Sequence, residues 1–90
     1  IAHFQEAVRL KPNDEHVLQE LGIVYVYKAE YENAITYLQR VIRLKPENGG
    51  AYWFLGITYL KMGDRPQAQQ VYRTLQRINK DLAAEFAARM

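Results

Sequence analysis

The stretch DEHVLQELGIVYVYKAEYENAITYLQRVIRLKP, residues 14–46, decides the fold, because its pattern returns thirty-four residues later in NGGAYWFLGITYLKMGDRPQAQQVYRTLQRINK, residues 48–80. Leu18, Leu21, Gly22, Tyr25, Ala34, Leu38 and Pro46 mark the first copy, and Tyr52, Leu55, Gly56, Tyr59, Ala68, Tyr72 and Lys80 hold the same places in the second. A period of this length is expected of stacked helical hairpins, units that cannot bury an apolar face alone and must lean on their neighbours.

Within the first copy, Asp14 suits an N-cap, since its carboxylate can accept from the free amides of the turn that follows. The spacing predicts a helix from there to about Lys28, with Leu18, Gly22 and Tyr25 on one face and Leu21 at its edge. Lys28, Ala29 and Glu30 break the pattern. A second helix is expected over about Glu32–Lys45, with Ala34, Ile35, Leu38, Val41 and Ile42 turned inward. Gly22 and Ala34 are read together as small residues that let the two helix backbones approach. In the second copy Asn48 takes the place of Asp14, and Ala51, Tyr52, Leu55, Gly56, Tyr59 and Leu60 lie on a helix that ends at Gly63, a residue suited to a left-handed cap. Pro66 falls at or near the first position of the next helix, whose inward stripe is Ala68, Val71, Tyr72, Leu75 and Ile78.

Working outward, Ile1, Gln5, Arg9, Leu10, Lys11 and Pro12 are identical to Ile35, Gln39, Arg43, Leu44, Lys45 and Pro46. Residues 1–12 therefore read as the second helix of a repeat whose first helix is missing, and the chain is expected to be a piece of a longer one. Residues 13–46 and 47–80 are the two full repeats. Residues 81–90 read as a capping helix, Leu82–Arg89, with Asp81 as its cap, Leu82 and Phe86 closing the end of the stack, and Glu85 and Arg89 in water. A continuous helix bent through Asn79 is the competing picture.

Composition narrows the functional classes. The chain is 49% hydrophobic and 24% charged, ordinary for a folded domain, and no apolar run approaches the length of a membrane span. Zero cysteines exclude disulfides and thiolate metal sites, and leave the compartment open. The formal charge of +2 does not argue for nucleic acid. Arg65, Arg73, Arg77 and Lys80 form a stretch without an acid, but no exposed aromatics interleave it, and cations late in a helix already complement its dipole.

These residues resemble the tetratricopeptide repeat family, whose pattern W-x2-L-G-x2-Y, A-x3-F, P is met by the positions named above, with Leu18 and Tyr52 for Trp, Leu38 and Tyr72 for Phe, and Lys80 for the second Pro. The leading half repeat supplies Phe4 and Pro12 in register. The resemblance implies an all-α fold, a right-handed solenoid of antiparallel helix hairpins, in which the first helices of the repeats line a concave groove that holds a peptide or another protein. On those helices the residues facing away from the hairpin seam are His16, Gln19, Glu20, Ile23, Val26 and Tyr27, and then Gly50, Trp53, Phe54, Ile57, Leu60 and Lys61.

The expected function is thus a protein-interaction scaffold with a largely apolar groove. Tyr27, Ile23, Trp53, Phe54 and Ile57 supply apolar contacts, and His16, Gln19, Glu20 and Lys61 supply a polar rim. For Trp53 two readings stand: a groove anchor, or solenoid core packed on Tyr27 or Ile23. One branch of the family clamps a chaperone tail's terminal carboxylate with Lys, Asn and Arg. The matching positions here hold Gln19, Glu20, Ile23, Gly50 and Phe54, so that clamp is not expected. An alternative is a structural module that self-associates, as a homodimer, through Ile1, Phe4 and Val8 on the uncovered leading helix.

Catalysis is not expected. His16 and Glu20 stand four apart on one helix face, a geometry that could place two ligands on one metal, but no third ligand completes a site. His3 and Glu6 make no better case. Gly49 and Gly50 are read as an inter-repeat turn and not a phosphate loop, no nucleophile has an evident base, and no cofactor is called for.

Overall fold

The structure, a computed structural model, describes residues 14–90. Five helices follow one another in it: α1 Glu15–Tyr27, α2 Tyr31–Leu44, α3 Gly49–Met62, α4 Arg65–Ile78 and α5 Lys80–Arg89. The helix expected at the start of the chain, with Ile1, Phe4 and Val8, lies outside the described residues.

Caps set the helix starts. Asp14 Oδ1 accepts from the amides of His16 (3.0 Å) and Val17 (3.3 Å), Asn48 Oδ1 from Ala51 (3.0 Å), and Asp64 Oδ1 from Gln67 (3.3 Å). Each satisfies donors that the first helical turn leaves free. Two expectations are corrected here. Gly49 and Gly50 do not form a turn: with Asn48 as cap, they are the first two residues of α3. The last helix is capped by Asn79 and not Asp81. Asn79 Oδ1 accepts from Leu82 N at 3.0 Å, so the helix starts at Lys80 with Asp81 inside its first turn, and it does not run on from α4.

Both hairpin turns use one device. Glu30 N donates to Tyr25 O (2.9 Å) and Ala29 N to Val26 O (3.0 Å); Asp64 N donates to Tyr59 O (2.8 Å) and Gly63 N to Leu60 O (3.1 Å). Such paired bonds put the intervening residue in the left-handed region. Gly63 accepts this freely at φ 78°, whereas Ala29 holds φ 61° with a Cβ in place.

Packing is sequential. α1 packs on α2, α2 on α3, α3 on α4 and α4 on α5, while α1 also touches α3 and α3 touches α5. α2 and α4 do not touch each other. The layer of first helices is therefore the shorter, inner side of the curve. α2 and α4 are strongly amphipathic, burying Ala34, Leu38 and Val41, and Ala68, Val71 and Leu75. α1 and α3 carry apolar side chains on most of their circumference, as expected of helices with neighbours on several sides.

Gly22 fits tightly against the second helix of its hairpin: a Cβ there would stand 2.9 Å from Leu38 Cγ and 3.6 Å from the Ala34 carbonyl. The equivalent Gly56 is different, since its added Cβ would meet Phe86 Cζ at 2.4 Å and Val71 Cγ1 at 2.9 Å. The second glycine is thus a seat for α5. Phe86 is fully buried there and Ala83 nearly so, Leu82 is half-buried, and Glu85 and Arg89 are exposed. Val26, placed by helical spacing on the far side of α1, is only 4% exposed and joins the main core. A helix packed against both α2 and α3 buries a wider arc than a single seam requires. Thr58 is fully buried as well, its hydroxyl donating to the Phe54 carbonyl at 2.7 Å.

Candidate binding surface

The inner surface is assembled from α1 and α3, with α5 beside them. Its register is set at the start of α3, where Asn48 Nδ2 donates to Gln19 Oε1 at 2.8 Å while Asn48 Oδ1 caps the helix. Gln19 lies over Gly50, where an added Cβ would stand 3.0 Å from Gln19 Nε2. The missing side chain at Gly50 leaves room for this link between repeats. Gln19 therefore spends its carbonyl on the neighbouring cap, and the faces that begin at Gln19 and Gly50 run side by side.

Along α1 that face continues through Ile23, half-buried, to Tyr27, which is 81% exposed. Along α3 it continues through Phe54 and Ile57, both half-buried, to Lys61, which is exposed. His16 and Glu20 are exposed at its margin. Phe54 and Ile57 have their inner parts against the core and their outer parts in solvent.

Trp53 has an aromatic neighbour that helical spacing did not supply. It is half-buried and packs on α5: the Trp53 and Phe86 rings meet edge to face, with centroids 5.9 Å apart. The Arg89 guanidinium lies over the Trp53 ring at 5.2 Å from its centroid, a cation–π arrangement. Sequence reasoning put Arg89 in water and Phe86 in the core without joining either to Trp53. The spacing of Phe86 and Arg89, three residues apart on one helix, was the available signal.

A second aromatic cluster sits on the other side of the first hairpin. Tyr25 and Tyr37 stack at 5.6 Å and 11°, with the Arg40 guanidinium 5.6 Å from the Tyr37 centroid. Across the repeat boundary, Tyr59 of α3 has the Gln39 side chain of α2 beside it. Burial, reinforced by the Asp64 carboxylate and opposed by the Gln39 side chain, pushes its phenol above the usual 10.0. At the repeat joint, Glu15 and Lys45 approach at 4.0 Å beside an open hollow formed with Pro46, Glu47 and Asn48. A contact that long, with the Lys45 end mostly in solvent, adds little.

Among the described residues, no three His, Cys, Asp or Glu side chains come together to hold a metal, and no helix is long and apolar enough to cross a membrane.

Sequential hairpins with a shared inner surface define a helical repeat protein of the solenoid class. The tetratricopeptide repeat family profile matches residues 27–89, and the chain belongs to that family. Tetratricopeptide repeats generally mediate protein–protein interaction and are typically non-enzymatic scaffolds. Comparison with curated proteins finds no match.

Proposed function

We propose that this chain is an interaction scaffold whose inner face, formed by α1 and α3, binds an apolar segment of a partner protein. The observation that carries the reading is an apolar face that keeps part of its surface in solvent, running from the half-buried Ile23 to the 81%-exposed Tyr27 and alongside the half-buried Phe54 and Ile57. Aromatic side chains on such a surface offer large contact area at small entropic cost and are frequent hot spots. His16, Glu20 and Lys61 form the polar rim, with Gln19 contributing its free amide group. Trp53 lines the same surface at its α5 edge, with its ring already in contact with Phe86 and Arg89. The reading takes residues 13–46 and 47–80 as the two repeats that build the groove. No cation stands at the matching positions of a carboxylate clamp, so the favoured ligand is an apolar helix or extended segment and not a charged chain end.

The test is selection of binders from a displayed library of 16-residue peptides, followed by measurement of their affinity for three variants. Tyr27→Ala and Phe54→Ala should each weaken selected peptides about tenfold or more, while Arg73→Ala on the outer helix should leave them unchanged. Peptides indifferent to both inner-face changes, or a selection that enriches nothing, would count against the groove.

A further inference from the structure

The two joints that lead from a second helix to the next first helix are built differently. Between α2 and α3 lie Lys45, Pro46, Glu47 and Asn48, whereas between α4 and α5 lies Asn79 alone. In the repeat register Lys80 stands where the first repeat has Pro46. A proline at that place forbids a through-going helix, because it lacks the amide and clashes with the carbonyl four residues back. Lys80 removes that bar.

The bend rests on one residue. Asn79 has φ −159° and ψ 96°, its amide already donates to Leu75 O at 2.7 Å in helical register, and its side chain caps Leu82 N at 3.0 Å. Were Asn79 to become helical, the amides of Lys80, Asp81 and Leu82 would gain the carbonyls of Gln76, Arg77 and Ile78, four residues back. The cost falls on the docking of α5. Phe86 would leave its seat on Gly56 and Val71, Leu82 would leave Gly49, and Phe86 and Arg89 would leave Trp53. That seat is too apolar to stand empty, and α5 from a second molecule fits it contact for contact.

We propose that α5 is exchangeable between two copies of this chain: α4 and α5 straighten through Asn79 into one helix from Arg65 to Arg89, and the α5 of each copy fills the Gly56–Trp53 seat of the other. The occupant is a second copy because every contact of the exchanged helix is already present in the bent form, so at a given concentration the balance is set by the hinge against the entropy of association. The resulting interface is two-fold symmetric, with each partner contributing Phe86 and Arg89 to the other's Trp53. It shares Trp53 with the inner-face reading without depending on it, and is separate from any association through residues 1–13.

Two hinge variants test it in the 90-residue chain, by light scattering over a series of concentrations with circular dichroism as the check on folding. Asn79→Ala removes the cap of the bent form and favours the helical hinge, so it should dimerise about tenfold or more tightly than wild type. Lys80→Pro should hold the bend, because proline is at home in the first turn of α5 and barred from a helix interior. It should remain monomeric where Asn79→Ala is dimeric, with Trp53 fluorescence still reporting Phe86 in place. Two results overturn the proposal: Lys80→Pro dimerising as readily as wild type, or Asn79→Ala remaining folded and monomeric at the highest concentration reached.

Discussion

The two hairpin turns offer an internal control on backbone strain. At equivalent places in identical hydrogen-bond settings, one turn has Ala29 at φ 61° and the other Gly63 at φ 78°. A Cβ in the left-handed region costs about 1–2 kcal/mol, and glycine avoids this at the expense of about 0.4–1 kcal/mol of extra freedom in the unfolded chain. Ala29→Gly should therefore stabilise the protein by about 0.5–1 kcal/mol, and Gly63→Ala should destabilise it by a similar amount. Nothing lies within 4 Å of a Cβ built on Gly63, so backbone conformation is the only term in that second change. In a domain of this size the shifts correspond to roughly 2–8 °C in Tm. Urea unfolding followed by circular dichroism is the assay, with the midpoint expected to move and the slope to stay constant. A lowered midpoint for Ala29→Gly, or a Gly63→Ala protein that unfolds together with wild type, would refute the reasoning.

Three other changes probe the core and its edge. Gly56→Ala should destabilise by about 1–3 kcal/mol and by more than Gly22→Ala, since its methyl meets the confined Phe86 ring and Val71 together; the reverse order in denaturant midpoints would place the tight seat elsewhere. Phe86→Ala should undock α5, raising hydrogen exchange at residues 80–89 while α1 and α2 stay protected, and shifting Trp53 emission to the red; an unchanged spectrum would mean that Phe86 does not shield the indole. Tyr59 holds its proton more tightly when folded than when unfolded, owing first to burial and then to Asp64. Its contribution is accordingly in place below pH 10 and is lost as pH rises from 10.0 through its higher folded value, because the unfolded state releases the proton first. Tyr59→Phe should flatten that part of the alkaline unfolding profile, and an identical profile in the variant would locate the loss in other groups.

The periodic apolar positions and some of the caps, though not Asp64 or Asn79, were legible without coordinates. Asp14, Asn48, Gly63 and Pro66 act within a few residues of themselves, so the types and spacing suffice to place helix starts and stops, and the thirty-four-residue offset then implies hairpins that stack. Helical geometry alone turns Ile23 and Tyr27 away from the Leu18–Leu21–Tyr25 seam, and Phe54 and Ile57 away from its counterpart on α3, which is as far as spacing reaches toward an inner face. What required the tertiary structure was every feature that depends on which helix lies beside which. Val26 is buried because α1 has two neighbours. Gln19 is tied to Asn48 because the repeats sit in one register. Trp53 meets Phe86 and Arg89 because α5, bent at Asn79, folds back over Gly56. Local sequence determines where a helix can begin, while the direction it takes afterwards is decided by the surface that remains to be covered.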